Sequence, residues 1–149
     1  MQHKRLYLED IAVGDAFLSS EHRLDAKQII AFAEQYDPQP FHTDPQAARD
    51  TFFQGLAASG WHTAAITMKL VAESVPFAHG IIGGGGEIAW PRPTRPNDVL
   101  RVKSTVVEIR PSRSKPDRAL VLVKCQTLNQ NDDVLQELTA KLLAFRKEG

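Results

Sequence analysis

The feature that most constrains this chain is the spacing of its C-terminal half. Apolar, strand-like runs over 81–90, 99–109, 119–128 and 134–145 are separated by polar connections at Asn97-Asp98, 113–117 and 129–133. Such connections are too short for the crossover helices that parallel strands require, so the strands must pair antiparallel. Helix signals crowd the preceding stretch, 25–75. Helical and strand patterns are thus segregated rather than alternating, which predicts an α+β fold.

Within the helical stretch, Asp25 and Gln28 have the spacing of a capping box, and Ile29, Phe32, Ala33 and Tyr36 then recur on one face. A helix of about three turns follows from that pattern. Pro38 and Pro40 drive Asp37 and Gln39 out of the α region, so the helix should stop and an extended, stiff loop begin. Thr43 or Asp44 can cap a second helix with Pro45 in its first turn, ending near Gly55. Over 62–74 only Lys69 and Glu73 are charged, which predicts a helix buried nearly all round. It is shorter than the roughly 20 residues a bilayer demands, so a core position fits better. One long sheet around one buried helix satisfies both patterns. No repeat or linker divides the 149 residues, and a single domain over 1–149 is expected.

Charge and cysteine content narrow the partners. Eighteen basic residues balance eighteen acidic ones, so no global field attracts a nucleic acid or an anionic membrane. The lone Cys125 excludes an internal disulfide and any multi-cysteine metal site, and packing is its expected role. His3, His22, His62 and His79 are scattered, without metal-ligand spacing. Residues 1–10 hold no apolar run of signal-peptide length, which makes the cytoplasm the expected location.

Chemistry concentrates in Asp37-Pro38-Gln39-Pro40-Phe41-His42. A carboxylate at a helix C-terminus faces the negative end of the helix dipole, which should raise the Asp37 pKa. Taken singly, Asp-Pro is also an ordinary turn starter, and a histidine before a helix is commonly structural. Together they form an acid and an imidazole five residues apart on a span stiffened by two prolines, an arrangement suited to proton transfer at one centre. Gly60 would leave a free amide near the start of the buried helix, able to stabilise a developing oxyanion, though a glycine also simply eases helix entry. Gly83 to Gly86 lack the phosphate-loop and dinucleotide signatures; they fit a bulge, a close approach or plain flexibility. Arg110, Arg113, Lys115 and Arg118 crowd one polar connection, where they could meet phosphates or merely be solvated. Trp90-Pro91-Arg92-Pro93 reads as a strand edge or bend, with no chemistry assigned.

Tyr36-Asp37-Pro38-Gln39-Pro40-Phe41-His42-Thr43-Asp44-Pro45, Gly60-Trp61-His62-Thr63 and Arg92-Pro93-Thr94-Arg95-Pro96-Asn97-Asp98, read together, resemble the MaoC-like dehydratases, the R-specific enoyl-CoA hydratase group. The resemblance covers nearly the whole chain. It implies a hot-dog fold, a homodimer or higher homo-oligomer, and an acyl-CoA substrate. It further implies Asp37 and His42 as the acid/base pair, and Gly60 as the amide that polarises the thioester carbonyl. Gln39, Phe41, Trp61, Arg113, Lys115 and Arg118 are then the expected substrate contacts. No metal or separate cofactor is expected, because coenzyme A arrives with the substrate. Tyr36 and Gln39 depart from the family's usual glycine and asparagine, and no helix serine aligns near Thr67 and Met68. The implied reaction is hydration of a trans-2-enoyl-CoA to an (R)-3-hydroxyacyl-CoA. A hot-dog thioesterase, which would release a free thiol, and a non-catalytic acyl-CoA-binding module are the alternatives.

Overall fold

In the computed structural model, residues 4–148 are described, and His3 lies outside them. After a short 3-10 turn at Leu8–Asp10 come β1 (Ala16–Leu18), β2 (His22–Leu24), α1 (Ala26–Tyr36), α2 (Pro40–Thr43), α3 (Pro45–Ala48) and α4 (Gly60–Ser74). The sheet strands β3 (Gly83–Ala89), β4 (Asp98–Pro111), β5 (Arg118–Leu128) and β6 (Val134–Phe145) complete the chain.

Every strand pairing is antiparallel, in the order β1-β4-β5-β6-β3, with β2 also on β4. The short connections between β4, β5 and β6 make them sheet neighbours, as their length requires. Alternation along β5 sends Ala119, Val121, Val123 and Cys125 into the core, where they meet Ile66, Leu70 and Val71 of α4. A sheet curved around one helix is the α+β hot-dog arrangement. Cys125 is a buried packing residue of that core.

Three expectations need correction, and one feature is new. α4 is not buried all round: His62, Thr63, Ile66, Thr67, Leu70 and Val71 are buried, His62 beneath Phe32 of α1, while Trp61, Ala65, Met68 and Ala72 face outward. That 4-3-4 spacing is one helix face, and a single sheet can cover only the opposite one. The loop after Asp37 is not extended throughout, because Pro40, with its preset φ, opens the helical turn α2. The helix that follows, α3, stops at Ala48, well before Gly55. Finally, β1 and β2 were not anticipated; at three residues each they are too short to show a period.

The glycine run 83–86 is structural. β3 shifts register on β6 between Gly83 and Gly86, and a Cβ on Gly86 would collide with the Thr139 carbonyl. No described helix is long and apolar enough to cross a membrane.

Candidate active site

Asp25 starts α1 by accepting from the Gln28 amide, and the helix then runs without interruption until the Pro38 constraint ends it at Tyr36. Asp37 is its C-cap residue, its amide bonded to the Ala33 carbonyl. One turn later α2 lifts His42 back over the same ground. The Asp44 side chain accepts from the Gln46 and Ala47 amides, which fixes the exit from that turn. Five residues of chain therefore bring Asp37 Oδ2 to 3.4 Å from His42 Nε2.

His42 is buried, and its Nδ1 lies 2.6 Å from the Ala57 carbonyl oxygen. A carbonyl only accepts, so Nδ1 carries the hydrogen and Nε2 is left as the atom that exchanges a proton towards Asp37. The 3.4 Å gap is long for a direct bond and short enough for one water to touch both groups. Phe41 packs edge-on against the imidazole at 4.6 Å and Phe53 at 5.8 Å, holding the ring in place.

Both oxygens of Asp37 are committed. Gln39 Nε2 donates to Oδ1 at 2.5 Å, and Ser59 Oγ donates to Oδ2 at 2.7 Å. Burial alone would raise the Asp37 pKa, but these two hydrogen bonds and the charge of His42 together outweigh it and hold the carboxyl below its ordinary value. This reverses the upward shift expected from the helix dipole. A dipole felt at a helix end is weak beside two direct donors.

Ser59 was not anticipated. It lies in the loop before α4, fully buried, and its Oγ also accepts from the Trp61 amide as the helix N-cap. Its sequence signal was a serine just ahead of Gly60 and the apolar helix, which reads as a cap and conceals the second role.

Gly60 opens α4, where an amide has no intrahelical acceptor, and its N–H makes no hydrogen bond among the described residues. A Cβ there would fall 2.7 Å from Trp90 Cε2, so only glycine lets the indole lie against the helix start. A cavity of about 370 Å³ opens beside these groups, lined by His42, Gly60, Thr63, Thr94, Phe52 and Phe53 together with Trp90, Pro91, Arg92 and Pro93. The segment from Trp90 to Pro93, to which no chemistry was assigned, is thus a wall of the site. Arg95 secures the opposite wall by donating to the carbonyls of Phe53, Gly55 and Leu56.

The other expected contacts divide. Gln39 reaches the site through Asp37, and Phe41 supports His42 rather than lining the cavity. Trp61 is 60% exposed on the outer face of α4 and touches the site only through its edge-to-face contact with Trp90. Arg113, Lys115 and Arg118 lie at the β4–β5 turn, the far end of β4 from Thr94. Thirteen residue steps at about 3.3 Å each put them far beyond reach of Asp37 within one chain. Arg118 there pairs with Asp117 and stacks over Phe145. Among the described residues, no group of three or more His, Cys, Asp or Glu is placed to hold a metal ion.

Comparison with known proteins identifies the fold and the family. A MaoC-like dehydratase from Rhodospirillum rubrum has a crystal structure that superposes with a TM-score of 0.95 at 57% identity, covering 97% of this chain and 99% of that one. The R-hydratase PhaJ1 from Pseudomonas aeruginosa shares the fold at a TM-score of 0.78 and 23% identity, over 96% of this chain and 88% of its own. Among curated sequences, 3-hydroxybutyryl-CoA dehydratase of Methylorubrum extorquens is 26% identical over 144 residues, 96% of this chain and 87% of its own length. The MaoC like domain profile matches residues 11–125, a span that takes in Asp37, His42, Ser59 and Gly60, and the chain belongs to the MaoC-like dehydratase family.

Proposed function

We propose that the chain catalyses the reversible syn addition of water to a trans-2-enoyl-CoA, giving an (R)-3-hydroxyacyl-CoA. The observation that carries this reading is the 3.4 Å approach of Asp37 Oδ2 to His42 Nε2 beside a cavity that the free Gly60 amide also borders. A water held between the two side chains loses a proton to Nε2 as its oxygen attacks the β-carbon, while the anionic Asp37 orients it and stabilises the imidazolium. Electron density moves to the thioester oxygen, where the Gly60 N–H receives it. The imidazolium then returns the proton to the α-carbon, on the same face, and both residues are restored. Conjugation to the thioester makes the β-carbon electrophilic, so the reaction asks for no metal or redox group, and coenzyme A enters as part of the substrate. The names of an R-hydratase and a 3-hydroxybutyryl-CoA dehydratase among the similar proteins favour the same chemistry.

We take the active form to be a homodimer. Among the described residues of one chain, the outward stripe of α4 and the edge strand β3, which pairs only with β6, are left open to solvent.

The test is hydration of crotonyl-CoA by the wild type, Asp37→Asn and His42→Ala. We expect each variant to lose on the order of 10³-fold in kcat/KM, within the range of general acid–base catalysis. Unchanged turnover in both would remove the pair from the mechanism. Release of free coenzyme A thiol in place of 3-hydroxyacyl-CoA would replace hydration with thioester hydrolysis.

A further inference from the structure

Two cavities lie one helical turn apart along α4. The first is that of the proposed reaction, with Gly60, Thr63 and Trp90 in its wall. The second, about 110 Å³, is bordered by Thr67, Met68, Val71, Ile81, Cys125 and Leu142 and is almost wholly lined by carbon. A chain of hydrogen bonds joins a wall of one to a wall of the other. Trp90 Nε1 donates to Gln136 Oε1 at 2.9 Å, and Gln136 Nε2 donates to Thr67 Oγ1 at 3.0 Å. Thr67 Oγ1 in turn donates to the Thr63 carbonyl at 2.8 Å and lies 2.5 Å from Thr127 Oγ1. Beside it Thr63 Oγ1 meets Thr94 Oγ1 at 2.9 Å. Gln136, Thr67 and Thr127 are completely buried, with no solvent to replace a lost partner.

We infer that this polar bridge caps the acyl end of the site and restricts the substrate to short acyl chains. The inference rests on the hydratase reading for its substrate class. With the thioester carbonyl at the Gly60 amide, a short tail ends within the first cavity. A longer tail extending down α4 towards the apolar cavity must part Gln136 from Trp90 or from Thr67. A hydrocarbon offers neither group a replacement, so each separation leaves a buried donor or acceptor unmade. Trp90 is held against yielding, since its ring lies on Gly60 and its one donor is used. Apolar side chains in place of Gln136 and Thr67 would fill the space without such an obstacle.

The experiment compares trans-2-butenoyl-CoA with trans-2-octenoyl-CoA as substrates for the wild type. It is repeated for the double variant Gln136→Leu/Trp90→Phe, which removes both partners of one bond and so leaves no orphaned donor, and for Thr67→Val. Circular dichroism and thermal melting check that each variant is folded. The wild type is expected to favour the four-carbon substrate by on the order of 100-fold in kcat/KM, and a folded variant to narrow that ratio about tenfold. Equal wild-type use of both chains, or an unchanged ratio in a folded variant, overturns the cap. Should the wild type hydrate neither substrate, the hydratase reading fails and the cap is read from calorimetric binding of butyryl-CoA and octanoyl-CoA. Tenfold tighter butyryl-CoA supports it; equal affinities, tighter octanoyl-CoA or binding of neither overturns it.

Discussion

At the scale of single residues, the site turns on how Asp37 is held. Its two oxygens take hydrogen bonds from Gln39 and Ser59, so the carboxylate is anionic and fixed in direction before any substrate arrives. Removing one donor must let its pKa rise. We therefore expect Ser59→Ala to move the acidic limb of the kcat/KM profile to higher pH, towards the ordinary carboxylate range. The lost cap should also lower stability by about 1 kcal/mol. A pH–rate profile from pH 3 to 8 checks the first effect and a urea titration the second; a fixed limb would show that Ser59 serves the helix alone. Asp37 and His42 were legible in the sequence because their contact is local, spanning one proline-ended helix and one turn. Ser59 was not, because its partner is 22 positions away and meets it only after α1 and α4 pack. The sign of the Asp37 shift differs from the dipole expectation because it is set by where two donors point: Gln39, two residues on, turns its amide back onto Oδ1, and the distant Ser59 hydroxyl meets Oδ2.

At the scale of elements, α4 has two faces with different duties. The inner one fills the sheet's concave side, and the outer one presents Trp61, Ala65, Met68 and Ala72 as an apolar stripe. A second copy of the chain would cover that stripe and the edge of β3. Ala65→Lys places a charge at the middle of the stripe without touching the core. Sedimentation velocity at micromolar concentration should show a dimer for the wild type and a shift towards monomer for Ala65→Lys. A monomeric wild type would refute this arrangement. The long strands were legible because apolar runs and short connections leave antiparallel pairing as the only solution. The outward face of α4 was not, since an apolar helix reads alike whether a sheet or another chain is to cover it. The wall formed by Trp90 to Pro93 escaped notice because prolines mark where a strand bends and say nothing of what the bend faces.

For the molecule as a whole, a buried histidine is expected to make the fold sensitive to acid. His62 stacks on Phe32 at 4.4 Å with its Nδ1 unpartnered, and burial, with His22 adding a smaller push, brings its pKa down to about 4. The unfolded chain takes up a proton near pH 6.5 and the folded one does not until about pH 4, so stability falls as pH drops through that window. After discounting for partial solvent screening the loss is roughly 2 kcal/mol. Urea midpoints at pH 7 and pH 4.5 should differ less in His62→Phe than in the wild type; an equal difference would assign the acid sensitivity elsewhere. The sequence located this histidine on an apolar helix, but its depth depends on α1 closing over it. Global stability also meets chemistry at the oxygen of Ser59, which begins the central helix and tethers the carboxylate. For the helix start alone aspartate would serve there as well as serine, yet that exchange would set a second anion against Asp37. The two traits share one atom, so selection cannot improve either without consulting the other.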